Sequence, residues 1–470
     1  MKILKLICLL ILSLNISAKA VIRNVPSQYS NIQAAINACS NSDTILVQPG
    51  TYFENVIFRG KKIVLTSKFY QNFDYSFIQS TIINGSTPVH PDSGSCVIIC
   101  NHEDSTTVLQ GFTLTGGTGT KWQDEQGAGL FREGGGLLTA LSSPIIQYNI
   151  ITGNNCLQGG VVSTGGGGIR SGDAFPRIYN NVITNNSARY GAGVVLNYTG
   201  CEFKNNLVFK NFGSQDYGAG SGIWINGFYT RTKYLHNNTI AFNSAIAGTG
   251  GVQGAGIAGD FRNNIVWKNT SPNGVQINAS GLTVRYCDVS VNTTGGGNVN
   301  IDPQFDSANY YLKSTSPCID IGDSSTIYND RSDPNNPALA QWPARGTLRN
   351  DMGAYGGPLS HVIANTVVGV IPHSQNISPD NFHLSQNYPN PFNPSTTIEY
   401  FIPQSSAVTI NIYNSLGQKI EMLLDKFQSA GNYKITWNGQ NLGSGIYFYE
   451  MVASNSAGRF IEKKKMLLVK

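Results

Sequence analysis

Charge is scarce in this chain: Asp, Glu, Lys and Arg make up 13% of 470 residues, and the formal net charge is only +5. General nucleic-acid binding is excluded on that count, because neutralising phosphates takes a concentrated basic surface. Lys2, Lys5 and Lys19 fall in an N-terminal leader, and the segment from Phe382 holds a further basic excess, so the body of the chain is near neutral. Clustered acids are missing too. Between Gly127 and Asn292 the carboxylates are Glu133, Asp173, Glu202, Asp216, Asp260 and Asp288, scattered in spacing. No zinc-ligand spacing, phosphate-binding glycine loop or serine elbow is present; the glycine triplets lack a following Lys-Ser/Thr. Beyond the leader, no run is long and apolar enough to span a membrane.

The first twenty residues have the form of a secretory signal. Lys2 and Lys5 precede the apolar run from Leu6 to Leu14, and Ala18-Lys19-Ala20 matches a small-residue cleavage site. Cys8 lies inside the apolar run, which argues against a lipoprotein anchor. Of the eight cysteines, seven remain after this leader, an odd number that cannot all pair within one chain. Cys96 and Cys100 stand roughly 13 Å apart if their strand-like run is extended, too far for a bridge. Buried thiols are expected.

What the chain has in abundance is asparagine and glycine in a fixed frame. Asn149, Asn181, Asn206, Asn238 and Asn264 each have an apolar residue three positions before (Ile146, Ile178, Phe203, Leu235, Phe261) and another two after (Ile151, Ile183, Val208, Ile240, Val266). Cys287 takes a sixth turn between Val284 and Val289. Five positions after each stands a further asparagine: Asn154, Asn186, Asn211, Asn243, Asn269 and Asn292. Repeats of this length indicate a solenoid. Apolar positions at −3 and +2 cannot share one face of a continuous strand, so a bend lies between them, at the asparagine. Asparagine tolerates left-handed backbone and bonds nearby backbone groups. Coils stacked about 4.8 Å apart would let the amides bond up a column, an asparagine ladder.

Gly136, Gly168 and Gly193 precede their asparagines by thirteen residues and read as tight corners, whereas Gly222 and Gly256 stand sixteen and eight before theirs. Each coil is expected to hold strand, corner, strand, bend and strand. The repeat resembles the right-handed parallel β-helix proteins of the pectate lyase superfamily, over residues 21 to 360. Ile32-Gln33-Ala34-Ala35-Ile36 resembles the short amphipathic helix that covers the open end of such a stack. Gly111 to Gly116 resembles an early coil with Phe112 in the ladder position. Ser316-Pro317-Cys318-Ile319-Asp320 and Asp351-Met352-Gly353-Ala354-Tyr355-Gly356 resemble closing turns.

Residues 361 to 381 read as a linker. From 382 to 470 composition shifts to alternating strands, Val408 to Tyr413, Tyr433 to Trp437 and Ile446 to Tyr449, punctuated by Gly417, Gly439 and Gly445, as in a small antiparallel Ig-like sandwich. Asn387-Tyr388-Pro389-Asn390-Pro391-Phe392, Ser415-Leu416-Gly417-Gln418, Gly445-Ile446-Tyr447 and Lys463-Lys464-Lys465-Met466 closely resemble the type A sorting domain of the type IX secretion system. That resemblance implies partners in the secretion machinery and its sortase, and a passenger released from, or attached to, the outer surface of a Gram-negative Bacteroidetes-type bacterium.

The lyases of the resembled superfamily use a basic residue beside calcium-binding carboxylates, and its hydrolases paired aspartates with His and Lys. Neither constellation is evident in the repeats, where only Glu202 and Asp260 share an offset, two coils apart. One column repeats with charge: Lys204, His236, Arg262 and Arg285, two before the ladder, pointing outward where regularly spaced cations could meet an anionic glycan. Trp224, Phe209 and Trp267 are outward aromatic candidates for stacking on sugar faces. Asp302, Asp306, Asp320 and Asp323 open an acidic group, continued by Asp330, Asp333 and Asp351, that could take calcium, without an EF-hand spacing; no other cofactor is expected. The expectation is a secreted β-helix protein that binds extracellular polysaccharide without a recognisable catalytic site. The alternatives are a polysaccharide lyase or glycosidase built in loops such as 154 to 168 or 226 to 236, and a purely structural or adhesive surface protein.

Overall fold

Residues that share an offset in the repeat become hydrogen-bonded neighbours in space. Ile146, Ile178, Phe203, Leu235 and Phe261 pair in register on five successive parallel strands, and Ile151, Ile183, Val208, Ile240, Val266 and Val289 do the same on six. All are fully buried. Each such side chain contributes roughly 1.5–3 kcal/mol by leaving water. In this computed structural model the described residues are 20–157, 163–214, 220–227, 231–291, 294–306, 309–363, 382–384, 386, 387, 390, 392–402, 405–428, 431–455 and 458–469. The leader (1–19), most of the linker (364–381), Asp216 and Asn292 lie outside them. The chain divides into two compact units at residues 367/368.

The N-terminal unit is a parallel β-helix. Its described residues form three long parallel sheets of ten, nine and eight strands, each complete coil giving one strand to each sheet and the end coils falling short. The first sheet includes Arg177–Tyr179, Cys201–Lys204, Thr232–His236, Ala258–Arg262 and Leu282–Arg285. The second carries the +2 positions, and the third includes Ile169–Gly172, Val194–Asn197 and Ile223–Asn226.

The ladder runs through Asn149, Asn181, Asn206, Asn238 and Asn264, each amide donating to the next at 3.0–3.2 Å. Cys287 ends it, its Sγ accepting from the Asn264 backbone N–H at 3.4 Å. A second ladder joins Asn154, Asn186, Asn211, Asn243 and Asn269 and closes on Gln276. One expectation is corrected. The left-handed residue of the bend is the one before each ladder position: Tyr148, Asn180, Asn205, Asn237, Asn263 and Tyr286, all with φ of 50–56°. That residue makes the turn, which frees the ladder asparagine to point inward. The glycine column is corrected as well: it continues through Gly222 and Gly251, not Gly256, because a Cβ on each of Gly136, Gly168, Gly193 and Gly222 would lie 2.5–2.8 Å from the carbonyl oxygen of the next.

The N-terminal opening is covered by the helix Ile32–Ala38, with Ile32, Ala35 and Ile36 buried. The Asn31 side chain caps it at Ala34 N, and the Glu54 carboxylate takes the N–H groups of Ile32 and Gln33 at 2.9 Å. All seven described cysteines are unpaired and buried. Burial pushes the thiols of Cys96, Cys156, Cys201 and Cys287 up to about 12, which keeps them unreactive. No helix among the described residues is long and apolar enough to cross a membrane.

The C-terminal unit has two antiparallel sheets. One joins His383–Leu384, Ser395–Ile402 and Gly431–Asn438; the other joins Lys419–Gln428, Ser406–Asn414, Gly445–Asn455 and Gly458–Leu468. Alternate residues such as Val408, Ile410, Ile412, Tyr449, Met451 and Trp437 make its core. Lys463 and Lys464 pair with Glu450 and Glu462.

Candidate functional site

On the first sheet the inward residue of each strand is flanked by two outward ones, so two outward columns run side by side. One holds Tyr179, Lys204, His236, Arg262 and Arg285; the other holds Arg177, Glu202, Tyr234 and Asp260. The four basic residues singled out in the sequence do stack on successive strands. They are not a free ribbon of cations, because the adjacent column supplies acids. Lys204 Nζ lies 3.3 Å from Glu202, which also accepts from the Tyr179 hydroxyl. His236 Nε2 is 2.9 Å from Asp260 Oδ2. Arg262 donates to Asp260 at 3.1 Å and to Asp323. Arg285, exposed, makes no ion pair among the described residues.

Burial alone would raise the Asp260 carboxyl, but hydrogen bonds from His236 and Arg262 hold it below the ordinary carboxylate value. Glu202 is likewise lowered, with Tyr179 and Lys204 overcoming its burial. Both are therefore ionised at neutral pH.

The opposite wall comes from far along the chain. The left-handed asparagines project at the bend and hold the returning segment: Asn205 donates to Ala354 O at 3.0 Å and Gly356 O at 2.6 Å, Asn237 donates to Asp351 O at 2.9 Å, and Asn263 Oδ1 accepts from Asp323 N at 2.8 Å. This places the 3₁₀ turn Thr326–Tyr328 and the pair Pro358-Leu359 opposite the strands. Tyr328 is fixed by the Arg262 guanidinium, 4.9 Å from its ring centroid, and by the edge of His236 at 5.7 Å. Between wall and strands lies a cavity of ≈ 300 Å³, whose floor is Tyr179, Glu202, Lys204, Asn205, His236 and Asn237.

The remaining sequence candidates lie elsewhere. Trp224 is on the third sheet, beside Val195 and Gln253 and 5.0 Å from the Tyr190 ring, so it does not join the basic column. Phe209 and Trp267 are buried in packing clusters. The acidic group is drawn into local turns: Asp302 accepts from Gln304 N, Asp306 from Asn309 N, Asp320 from Thr347 and Asp323 from Ser325 N. The described residues hold no cluster of three or more His, Cys, Asp or Glu that could bind a metal ion. Of the loops 154 to 168 and 226 to 236, parts lie outside the described residues.

Two more of these acids form a buried pair. Asp330 accepts from Asp351 N at 3.1 Å and from Gly357 N, and Asp351 accepts from the N–H groups of Asp320 and Arg345, both at 2.8 Å. Burial, with the neighbouring carboxylates, holds both well above the ordinary 3.8. The folded state thus binds protons that the unfolded chain has released, so this pair's contribution to stability is fully present below pH 3.8 and is lost as pH rises through the raised values. Asp330→Asn should flatten that fall. Thermal melts between pH 4 and 9 should show the variant gaining on the parent as pH rises; parallel profiles would contradict a protonated pair.

A buried ion cluster went unrecognised in the sequence. The strands Gly119–Gln123 and Leu130–Glu133 form a hairpin over the third sheet, with Asp124, Glu125 and Glu133 around Arg170, whose side chain is wholly buried. The available signal was three acids in an insertion outside the repeat frame, beside one arginine on the next coil.

Residues 386–466 match the family described as the secretion system C-terminal sorting domain. The C-terminal unit is a type IX sorting domain. The protein is accordingly secreted or held at the cell surface in the Bacteroidetes, and its sorting domain engages the secretion machinery. Part of the chain (19%) is similar to the dimeric latent PorU of Porphyromonas gingivalis, with 23% identity, 9% of that chain covered and a TM-score of 0.17. A longer alignment, 91% of this chain with 64% of the enzymatically active domain of bacteriophage CBA120 tailspike protein 4, has 12% identity and a TM-score of 0.23. The chain thus spans less than two thirds of either. No curated protein matches it. At such TM-scores the fold argument rests on the strand pairing itself.

Proposed function

We propose that the groove on the first sheet binds an extracellular polysaccharide. The supporting observation is a set of paired acidic and basic side chains, Glu202 with Lys204 and Asp260 with His236 and Arg262, two strands apart along an open cavity that Tyr328 also lines, in an exported protein. Such pairs offer donor and acceptor together, as vicinal sugar hydroxyls require, and an aromatic ring suits the apolar face of a sugar. Because the cations of the floor are neutralised by carboxylates, the reading shifts from an anionic to a neutral glycan. Removal of the sorting domain by the machinery's sortase within residues 361 to 381 would leave the β-helix as passenger.

In calorimetric titrations of the full chain with neutral and acidic glycans, Lys204→Ala and Tyr328→Ala should each weaken binding of the preferred neutral glycan roughly tenfold, the loss of one net hydrogen bond or ring contact. Trp224→Ala, on another face, should leave it unchanged. Equal affinity in all three variants, or binding of polyanions alone, would overturn the assignment.

A second reading is favoured by one observation. Glu202 and Asp260, both held ionised, stand two strands apart, about 9.6 Å at the backbone, with His236 on the strand between and hydrogen-bonded to Asp260, and a pair of carboxylates on one face is what glycoside hydrolysis uses. New reducing ends in the same titrations, abolished by Glu202→Gln, would establish this hydrolase; unsaturated ends would indicate a lyase.

A further inference from the structure

The two walls of the groove differ in chemistry. The strand wall is charged or polar, whereas the facing segment presents Ile327, Pro358 and Leu359, and Ile327 and Leu359 stay 71% and 37% exposed. Single exposed aliphatic residues are ordinary, but three apolar side chains converging on one cavity opposite paired hydrogen-bonding groups are not. They do not hold the segment in place, since its anchors are the asparagine hydrogen bonds described above and the buried Ala354 and Tyr355. Resting on the glycan reading, we infer that the groove selects a neutral sugar carrying a methyl group, its hydroxyls on the acid–base floor and its methyl against Ile327 and Leu359. A plain hexose would set a hydroxyl against Ile327, Pro358 and Leu359, whose side chains offer no hydrogen-bond partner, and would lose water without gaining a bond there. A methyl loses nothing there and buries its own surface.

Such a methyl belongs either to a 6-deoxyhexose or to an O-acetyl group, and matched pairs separate the two. The full chain would be titrated with oligosaccharides of 6-deoxy-D-galactose and of D-galactose joined by the same linkage, and with acetylated and deacetylated mannan. In at least one pair the methyl-bearing member should bind roughly fourfold tighter or better, the worth of one buried methyl. The double variant Ile327→Asn, Leu359→Asn should bring that ratio close to one; both residues are exposed, and an unchanged melting temperature confirms the fold. Equal binding within both pairs, or a preference that survives in the double variant, would overturn the inference while leaving glycan binding intact. Absence of binding to every glycan would overturn both.

Discussion

Arg170→Ala is expected to destabilise the N-terminal unit by roughly 3–5 kcal/mol, the cost of leaving buried charges without their partner. The Arg170 side chain has no exposed surface; its Nε donates to Glu133 at 2.9 Å and its two terminal nitrogens to Glu125, with Asp124 3.9 Å away. The carboxylates are further held by Tyr190 Oη on Glu133 at 2.7 Å, Asn197 on Asp124 at 2.6 Å and Trp122 on Glu125 at 2.9 Å. Burial acts against the guanidinium charge, yet the surrounding carboxylates raise its pKa above the ordinary guanidinium value. Glu125 is lowered although burial opposes it, chiefly through Arg170. In the parent, that depressed carboxyl therefore contributes stability above pH 4.5 that is lost as pH falls through its folded value. In the variant the sign reverses, because carboxylates without the cation bind protons more tightly folded than unfolded. Denaturant unfolding of parent and variant at pH 5 and pH 8, followed through the transition of the N-terminal unit, should show the larger gap at pH 8. A gap below about 1 kcal/mol would mean that the hairpin simply opens to water. Arg170→Lys should rescue little, since an ammonium cannot bond two carboxylates along a planar fork.

Asn206→Ala should cost roughly 2–5 kcal/mol, from backbone groups left unpaired at about 1–3 kcal/mol each. Asn206 is fully buried; its Oδ1 takes the Asn181 N–H at 3.0 Å and its amide donates to Ile178 O at 2.8 Å and Lys204 O at 3.0 Å. The end of the ladder offers the contrast. Cys287 meets Asn264 through sulfur at 3.4 and 3.9 Å, a weak acceptor, so Cys287→Ala should cost distinctly less than Asn206→Ala. Unfolding measured side by side checks the order; equal losses would show that the ladder amides add nothing beyond shape.

The interior was legible because a stacked coil turns sequence offset into register, and hydrophobic offsets of −3 and +2 survive any change of loop length. The left-handed position was misplaced by one residue because four of its six occupants, Asn180, Asn205, Asn237 and Asn263, are asparagines directly beside the ladder asparagine, so residue type does not separate the two positions; what recurs through Tyr148 and Tyr286 as well is backbone geometry. Of the later glycines only Gly222, sixteen residues before Asn238, leaves the thirteen-residue offset, because a longer loop follows it; Gly251 keeps that offset from Asn264, and backbone contact holds both in one column.

The basic column was visible, since its members share one offset. Ion pairing with Glu202 and Asp260 was legible as well, since each stands two residues before a member of the column and shares its outward face, whereas pairing with Asp323 was not, because that residue arrives with the returning segment. The groove's apolar wall depends on residues 326 to 328 and 358 to 359, which reach it through the hydrogen bonds of Asn205, Asn237 and Asn263.

Sequence by itself determined the solenoid, its ladder, its core and its secretion address, because those properties repeat locally or reside in a compact motif. Only the tertiary structure decided that Asp323 meets Arg262, which hairpin buries Arg170 and which distant segment closes the groove, because contacts between residues from dozens to more than a hundred positions apart leave no periodic trace in the chain.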